Sequence, residues 1–165
     1  MADQYHKNSV AMASSTATHQ QDAGRLNNRA FLRGTKILIV EDFELNRNLF
    51  KTFLLHFATD VDTAENGLHA LQLIERNQTE NPSSPYDAII MDIHMPVMNG
   101  YEATTRLRAI EEYSLLPIIG LSATMMDNET KDCLKYGMND FVRKPVDVDE
   151  LLTVLAKWIS RGQPE

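Results

Sequence analysis

The chain has 165 residues, enough for one domain with a substantial core plus a tail. Its formal net charge of -7 argues against a nucleic-acid-binding domain, which is usually basic. Cys133 is the only cysteine, which excludes an intrachain disulfide; with no recognisable secretory h-region or bilayer-length apolar run, a cytoplasmic protein without membrane contact is expected.

Residues 1–34 are dominated by Ser, Thr, Gln, Asn and Ala without periodicity, and carry Lys7, Arg25, Arg29 and Arg33 against Asp3 and Asp22. This composition predicts a disordered, mildly basic N-terminal tail. Residues 35–162 read as one folded domain. Lys36-Ile37-Leu38-Ile39-Val40 is an apolar, β-branched run that predicts a buried strand. Leu45, Leu49 and Phe53 predict the inner stripe of a first helix. Asp60 to Ala64 alternates, as an edge strand does, and Leu68, Leu71 and Leu73 populate a second helix. Asn77 to Pro85 holds Asn-Pro and Ser-Ser-Pro and predicts a surface loop. Ala88-Ile89-Ile90-Met91 is a third strand, followed by a helix on Ala103, Leu107 and Ile110. Pro117 to Leu121 gives a fourth strand and Phe141-Val142-Arg143 a short fifth. Leu151, Val154, Leu155 and Trp158 fall at i, i+3, i+4, i+7, and Asp147 three residues before Glu150 resembles a capping box that opens this last helix. Five alternating strand–helix units predict an α/β open parallel sheet with helices on both faces.

The polar residues that stand out all follow strand ends: Glu41-Asp42 the first, Asp92 the third, Ser122 the fourth and Lys144 the fifth. In an open α/β sheet these carboxyl ends form the functional edge. If the strand order is 2-1-3-4-5, the first and third strands are neighbours at the switch point, which places Asp42 and Asp92 side by side with Glu41 near. Clustered carboxylates repel one another and call for a divalent cation, and an all-oxygen set favours Mg2+. Asp92 can then act as a nucleophile toward phosphorus, forming an acyl phosphate. Lys144 supplies a point positive charge and Ser122 a hydroxyl donor, while Ala123 leaves room for a phosphoryl group.

These residues lie in the segments Val40-Glu41-Asp42, Met91-Asp92-Ile93-His94-Met95-Pro96-Val97-Met98-Asn99-Gly100, Leu121-Ser122-Ala123 and Phe141-Val142-Arg143-Lys144-Pro145. From Lys36 to about Ser160 the chain closely resembles the receiver domain of two-component response regulators. The run from His94 to Thr104 looks most like receivers attached to hybrid sensor kinases. The resemblance implies a flavodoxin-like (βα)5 doubly wound sheet of order 2-1-3-4-5. It implies that Asp92 accepts phosphate from a phosphohistidine of a histidine kinase or histidine phosphotransfer protein. It further implies that Asp42, Asp92 and the backbone carbonyl of His94 bind Mg2+ directly, with Glu41 acting through water. Lys144 would contact the phosphoryl group, Ser122 and Phe141 would form a switch, and the Lys144-Pro145 bond would be cis. The sequence departs from the family in Asn99, where Asp is commoner, and in Phe43, where hybrid-type receivers often have Asn; Phe43 bears on the partner surface.

His94 lacks a second histidine at ligand spacing, so it reads, with Thr124, as a residue that modulates hydrolysis beside the phosphoryl group. Met95, Met98, Met125 and Met126 read as packing around the site loops rather than as a copper site. The expected function is a phosphorylation-switched signalling receiver, not a metabolic enzyme, that shares catalysis of its own phosphorylation and dephosphorylation. The alternatives are a detached receiver segment of a hybrid histidine kinase and a haloacid dehalogenase-like hydrolase. The latter needs a second Asp where His94 stands. A flavodoxin-like carrier would need a phosphate loop where Glu41-Asp42-Phe43-Glu44 stands. The opening Met1-Ala2 favours an independent chain, and a homodimer could form through the fourth helix, last strand and fifth helix.

Overall fold

The computed structural model describes Ala30 and residues 32–57, 60–123 and 127–161. Among the described residues five strands and five α-helices alternate: β1 (Lys36–Val40), α1 (Glu44–Leu55), β2 (Asp60–Ala64), α2 (Gly67–Glu80), β3 (Ala88–Asp92), α3 (Gly100–Arg108), β4 (Ile118–Ser122), α4 (Asp127–Lys135), β5 (Asp140–Arg143) and α5 (Val148–Arg161). A single 3-10 turn, Glu111–Tyr113, leads from α3 toward β4. All strand pairings are parallel and the order is β2-β1-β3-β4-β5.

The unbroken apolar strands follow from burial on both faces. Leu38 and Val40 of β1 and Ile89 and Met91 of β3 face one core, shared with Ala70, Leu73 and Ile74 of α2 and Ala103 and Leu107 of α3. Ile37 and Ile39, Ala88 and Ile90 face the other, shared with Phe50 and Leu54 of α1 and Leu151, Leu152, Leu155 and Ile159 of α5. The alternation of a strand's side chains thus feeds two cores at once. The β2 strand stands at the edge, as its alternating sequence implies.

Three helices depart from the expected pattern, α2 by running to Glu80 through the start of the segment expected to be a surface loop, with Asn77 buried. Leu45 and Leu49 are 69% and 63% exposed, and α1 instead buries Phe50 and Leu54. Both pairs have i, i+4 spacing, so periodicity offers two stripes on one helix without choosing between them. The α3 helix ends at Arg108, which leaves Ile110 outside it and exposed. At that end, the Arg108 guanidinium donates to the carbonyls of Tyr113, Leu116 and Gly137 and to Asn139 Oδ1 at 2.6 to 2.9 Å. The α5 helix buries Leu151 and Leu155 and half-buries Val154 and Trp158, and Asp147 Oδ1 caps it by accepting from Glu150 N at 2.9 Å. Packing begins before β1: Leu32, inside the segment expected to be tail, is fully buried, and Thr35 Oγ1 donates to its carbonyl at 2.8 Å.

Candidate phosphoacceptor site

The sheet order makes β1 and β3 neighbours, with Val40 opposite Met91, so the residues after β1 and at the end of β3 meet. Carboxylate oxygens of Glu41, Asp42 and Asp92 lie within 4.8 Å of one another, the one such metal-competent cluster among the described residues. Glu41 and Asp92 are buried, whereas Asp42 is exposed. Three carboxylates so close, two of them out of water, are mutually repulsive without a cation. An all-oxygen set with one side open to solvent fits Mg2+, which keeps several waters and takes few carboxylates.

Lys144 follows β5 and crosses into this cluster. Its Nζ donates to Asp92 Oδ2 at 2.7 Å and to Glu41 Oε2 at 2.9 Å. Burial pushes the Asp92 carboxyl above its ordinary range, outweighing the opposing bonds from Lys144 and His94 N. Burial alone would lower Lys144, but hydrogen bonds and charge attraction from Asp92 and Glu41 raise it instead. The main chain turns around the same oxygens: His94 N donates to Asp92 Oδ1 at 3.3 Å, and Lys144 N donates to Ser122 O at 2.7 Å. Ser122 is buried at the end of β4, and Phe141 of β5 is half-buried against the α2–α3 core, opposite Gly120. The Lys144-Pro145 bond is cis. Thr124, Met125 and Met126 lie outside the described residues. His94 is exposed and not part of the acidic cluster, and Met95 and Met98 are buried in the core beneath it.

The response regulator receiver domain, as a sequence family, matches residues 37–156. The chain belongs to that family. The receiver is 37% identical over 128 residues to hybrid signal transduction histidine kinase I of Dictyostelium discoideum, covering 76% of this chain and 7% of that protein. It is 35% identical over 144 residues to the peroxide stress-activated histidine kinase mak3 of Schizosaccharomyces pombe, covering 86% of this chain and 6% of that kinase. Among solved structures, the receiver domain of sensor histidine kinase PA1611 from Pseudomonas aeruginosa PAO1 superposes with a TM-score of 0.67 at 36% identity, covering 77% of this chain and 98% of that one. That domain was crystallised with a magnesium ion coordinated in its active-site cleft. The receiver is therefore a signalling domain of two-component phosphorelays, and it spans only a small part of the curated kinases it matches.

Two features of this receiver site were missed in the sequence. Asn46 Nδ2 donates to Glu41 Oε1 at 3.2 Å, and Arg47 Nη1 donates to the carbonyls of Glu41 and Asp42 at 2.8 and 3.1 Å. Their only sequence signal is that they are polar and sit one helical turn past the acidic pair. A groove of about 470 Å3, lined by Ile74, Tyr86, Tyr113, Leu116 and Arg161 among others, opens at the opposite edge of the sheet. It contains none of the strand-end carboxylates, so volume and chemistry point to different places, and the chemistry locates the site. No described helix is long and apolar enough to cross a membrane.

Proposed function

We propose that Asp92 is the phosphoacceptor of a receiver unit spanning residues 35–162, taking its phosphoryl group from a phosphohistidine. The observation that carries this is the convergence of Asp92, Glu41, Asp42 and Lys144 at one sheet edge, with Lys144 Nζ 2.7 Å from Asp92 Oδ2. An Asp92 carboxylate oxygen attacks phosphorus, the new P–O bond forms as the P–N bond breaks, and the electron pair stays on the imidazole nitrogen. Asp42, Asp92 and the carbonyl of His94 would hold Mg2+ directly and Glu41 through water. The ion, when bound, offsets charge on the phosphoryl oxygens. Lys144 supplies the second positive charge and Ser122 a hydroxyl to one phosphoryl oxygen. His94 and Thr124 tune the hydrolysis of that group. The unit acts as a switch rather than a metabolic enzyme, catalysing only its own phosphorylation and dephosphorylation.

The donor is a histidine kinase or a histidine phosphotransfer protein, docked over the exposed apolar side chains Phe43, Leu45 and Leu49, which begin directly beside Asp42. Such side chains are costly to leave in water unless a partner covers them. Incubation with acetyl phosphate and Mg2+ tests the assignment: intact-mass spectrometry should show one phosphoryl addition that Asp92→Asn abolishes. Undiminished labelling of that variant would move the acceptor elsewhere.

A further inference from the structure

The α1 helix begins without a capping side chain: Phe43 precedes it and makes no side-chain hydrogen bond to the free amides of the first turn. The starts of α2, α3 and α5 are capped. Asn66 Oδ1 accepts from His69 N before α2, Asn99 Oδ1 from Glu102 N before α3, and Asp147 Oδ1 from Glu150 N before α5, each at 2.9 Å. In α1 two polar side chains of the opening turn, Asn46 and Arg47, reach backwards, out of the helix. One guanidinium nitrogen of Arg47 bridges the consecutive carbonyls of Glu41 and Asp42 at 2.8 and 3.1 Å, and Asn46 holds a Glu41 carboxylate oxygen at 3.2 Å. A cation this close to a helix N-terminus opposes the macrodipole, so Arg47 does α1 no service there as a helix former. The acidic loop is what it serves.

We propose that Arg47, seconded by Asn46, is a positioning residue of the metal-binding loop, an inference that rests on the Mg2+ reading of the site. Bridging two successive carbonyls fixes both peptide planes, and with them the direction in which the Asp42 side chain leaves the main chain. The loop is pinned from the other side by Glu41 N, which donates to Ala64 O at 3.1 Å. Asp42 is thereby kept within reach of Asp92 although the two carboxylates repel. The delocalised positive charge of the guanidinium lies against the main chain that carries the two acidic side chains. Lysine would keep a cation with donors enough for both carbonyls but on a shorter side chain, and glutamine would keep neither the charge nor the reach.

The test titrates the full chain and its Arg47→Gln, Arg47→Lys and Asn46→Ala variants with Mg2+ alone. Amide NMR shifts around Asp42 and Asp92 are followed, and thermal unfolding is measured without the ion. Arg47→Gln should weaken Mg2+ affinity about tenfold, the effect typical of losing a group that orients a metal ligand. Asn46→Ala should weaken it less, and Arg47→Lys should fall between Arg47→Gln and the parent chain. Saturating Mg2+ should bring the loop shifts back toward those of the parent chain. An Arg47→Gln chain that binds Mg2+ with unchanged affinity overturns the proposal, even if it melts lower, because Arg47 is then only a strut between helix and loop. Should Arg47→Gln not fold, unchanged affinity in both remaining variants overturns it equally. If the parent chain itself shows no Mg2+-dependent shifts at Asp42 and Asp92, the metal reading fails and the inference with it.

Discussion

Asp92 carries two opposed demands. As an acceptor it must be reachable and ionised; as the last residue of a central strand it is buried. Burial is the larger influence on its carboxyl, which sits above its ordinary range despite Lys144 at 2.7 Å. A carboxyl with a raised folded-state pKa contributes stability that is complete below the unfolded value and is lost as pH rises through the folded one. At neutral pH in the absence of Mg2+, ionised Asp92 therefore costs the fold stability. Lys144 does not reverse this, because its own raised pKa leaves it charged and still paired to Glu41 at 2.9 Å when Asp92 is neutral. Asp92→Asn should accordingly melt higher than the parent chain at pH 7 without Mg2+, by about 3 °C for about 1 kcal/mol. The gap should close as pH falls below about 4, where the parent carboxyl is itself protonated. A variant that melts lower at pH 7 would show that the Lys144 pair outweighs burial.

At the level of elements, what holds Asp92 in place is the start of α3. Gly100 N donates to Ile93 O at 2.9 Å, and a side chain at Gly100 would collide with the main-chain oxygen of Asp92 and press on Ile93 Cα and Met91 Cγ at 3.0 Å. Those obstacles include backbone that cannot swing aside, so Gly100→Ala should cost about 2 kcal/mol in denaturant unfolding and slow acetyl phosphate labelling by displacing the acceptor. Unchanged stability would mean that α3 has slack against β3. Gly67 plays a related part on the far side of the loop: its amide donates to Met98 O at 3.0 Å, and a Cβ there would lie 2.8 Å from that of Ala103. The strands and the polar residues at their ends were legible in the sequence, because doubly buried parallel strands need unbroken apolar runs and Glu41, Asp42, Asp92, Ser122 and Lys144 interrupt the chain where those runs stop; the strand order came from the resemblance to receivers. The inner face of α1 was not legible, since Leu45–Leu49 and Phe50–Leu54 satisfy the same period. Nor were the partners of Arg47, Gly67 and Gly100, because a hydrogen bond to a carbonyl or a missing Cβ leaves no mark on hydrophobic periodicity.

Across the whole molecule, a series of contacts leads from the site through β4 and β5 to α5. Lys144 N holds Ser122 O at 2.7 Å, so the residue that pairs with Asp92 is tied through its main chain to the end of β4. Two residues before Arg143, Phe141 lies half-buried against the core, and its neighbour Asp140 grips α5 by accepting from Lys157 Nζ at 2.7 Å and Trp158 Nε1 at 2.9 Å. Burial works against the Asp140 carboxylate, but those bonds outweigh it and hold the carboxyl below its ordinary range. A phosphoryl group on Asp92 would draw Ser122 and Lys144 toward its oxygens, and space vacated near Ser122 could be taken up by Phe141. Asp140 would carry that movement into α5, and a partner or a second copy would read the changed surface of α4, β5 and α5. The expected change is a shift between two packings, not a new fold, since a phosphoryl group can bias an equilibrium only by its differential contacts with the two states. Beryllofluoride with Mg2+, which stands in for the phosphoryl group, should shift the NMR signals of Ser122, Phe141, Lys144 and Trp158 together. Ser122→Ala should weaken the Phe141 and Trp158 responses, by a coupling of about 1–3 kcal/mol, while leaving Asp92 the labelled residue. If Asp92 is fully modified and Phe141 and Trp158 stay where they were, the proposed route from site to surface is absent and phosphotransfer alone remains.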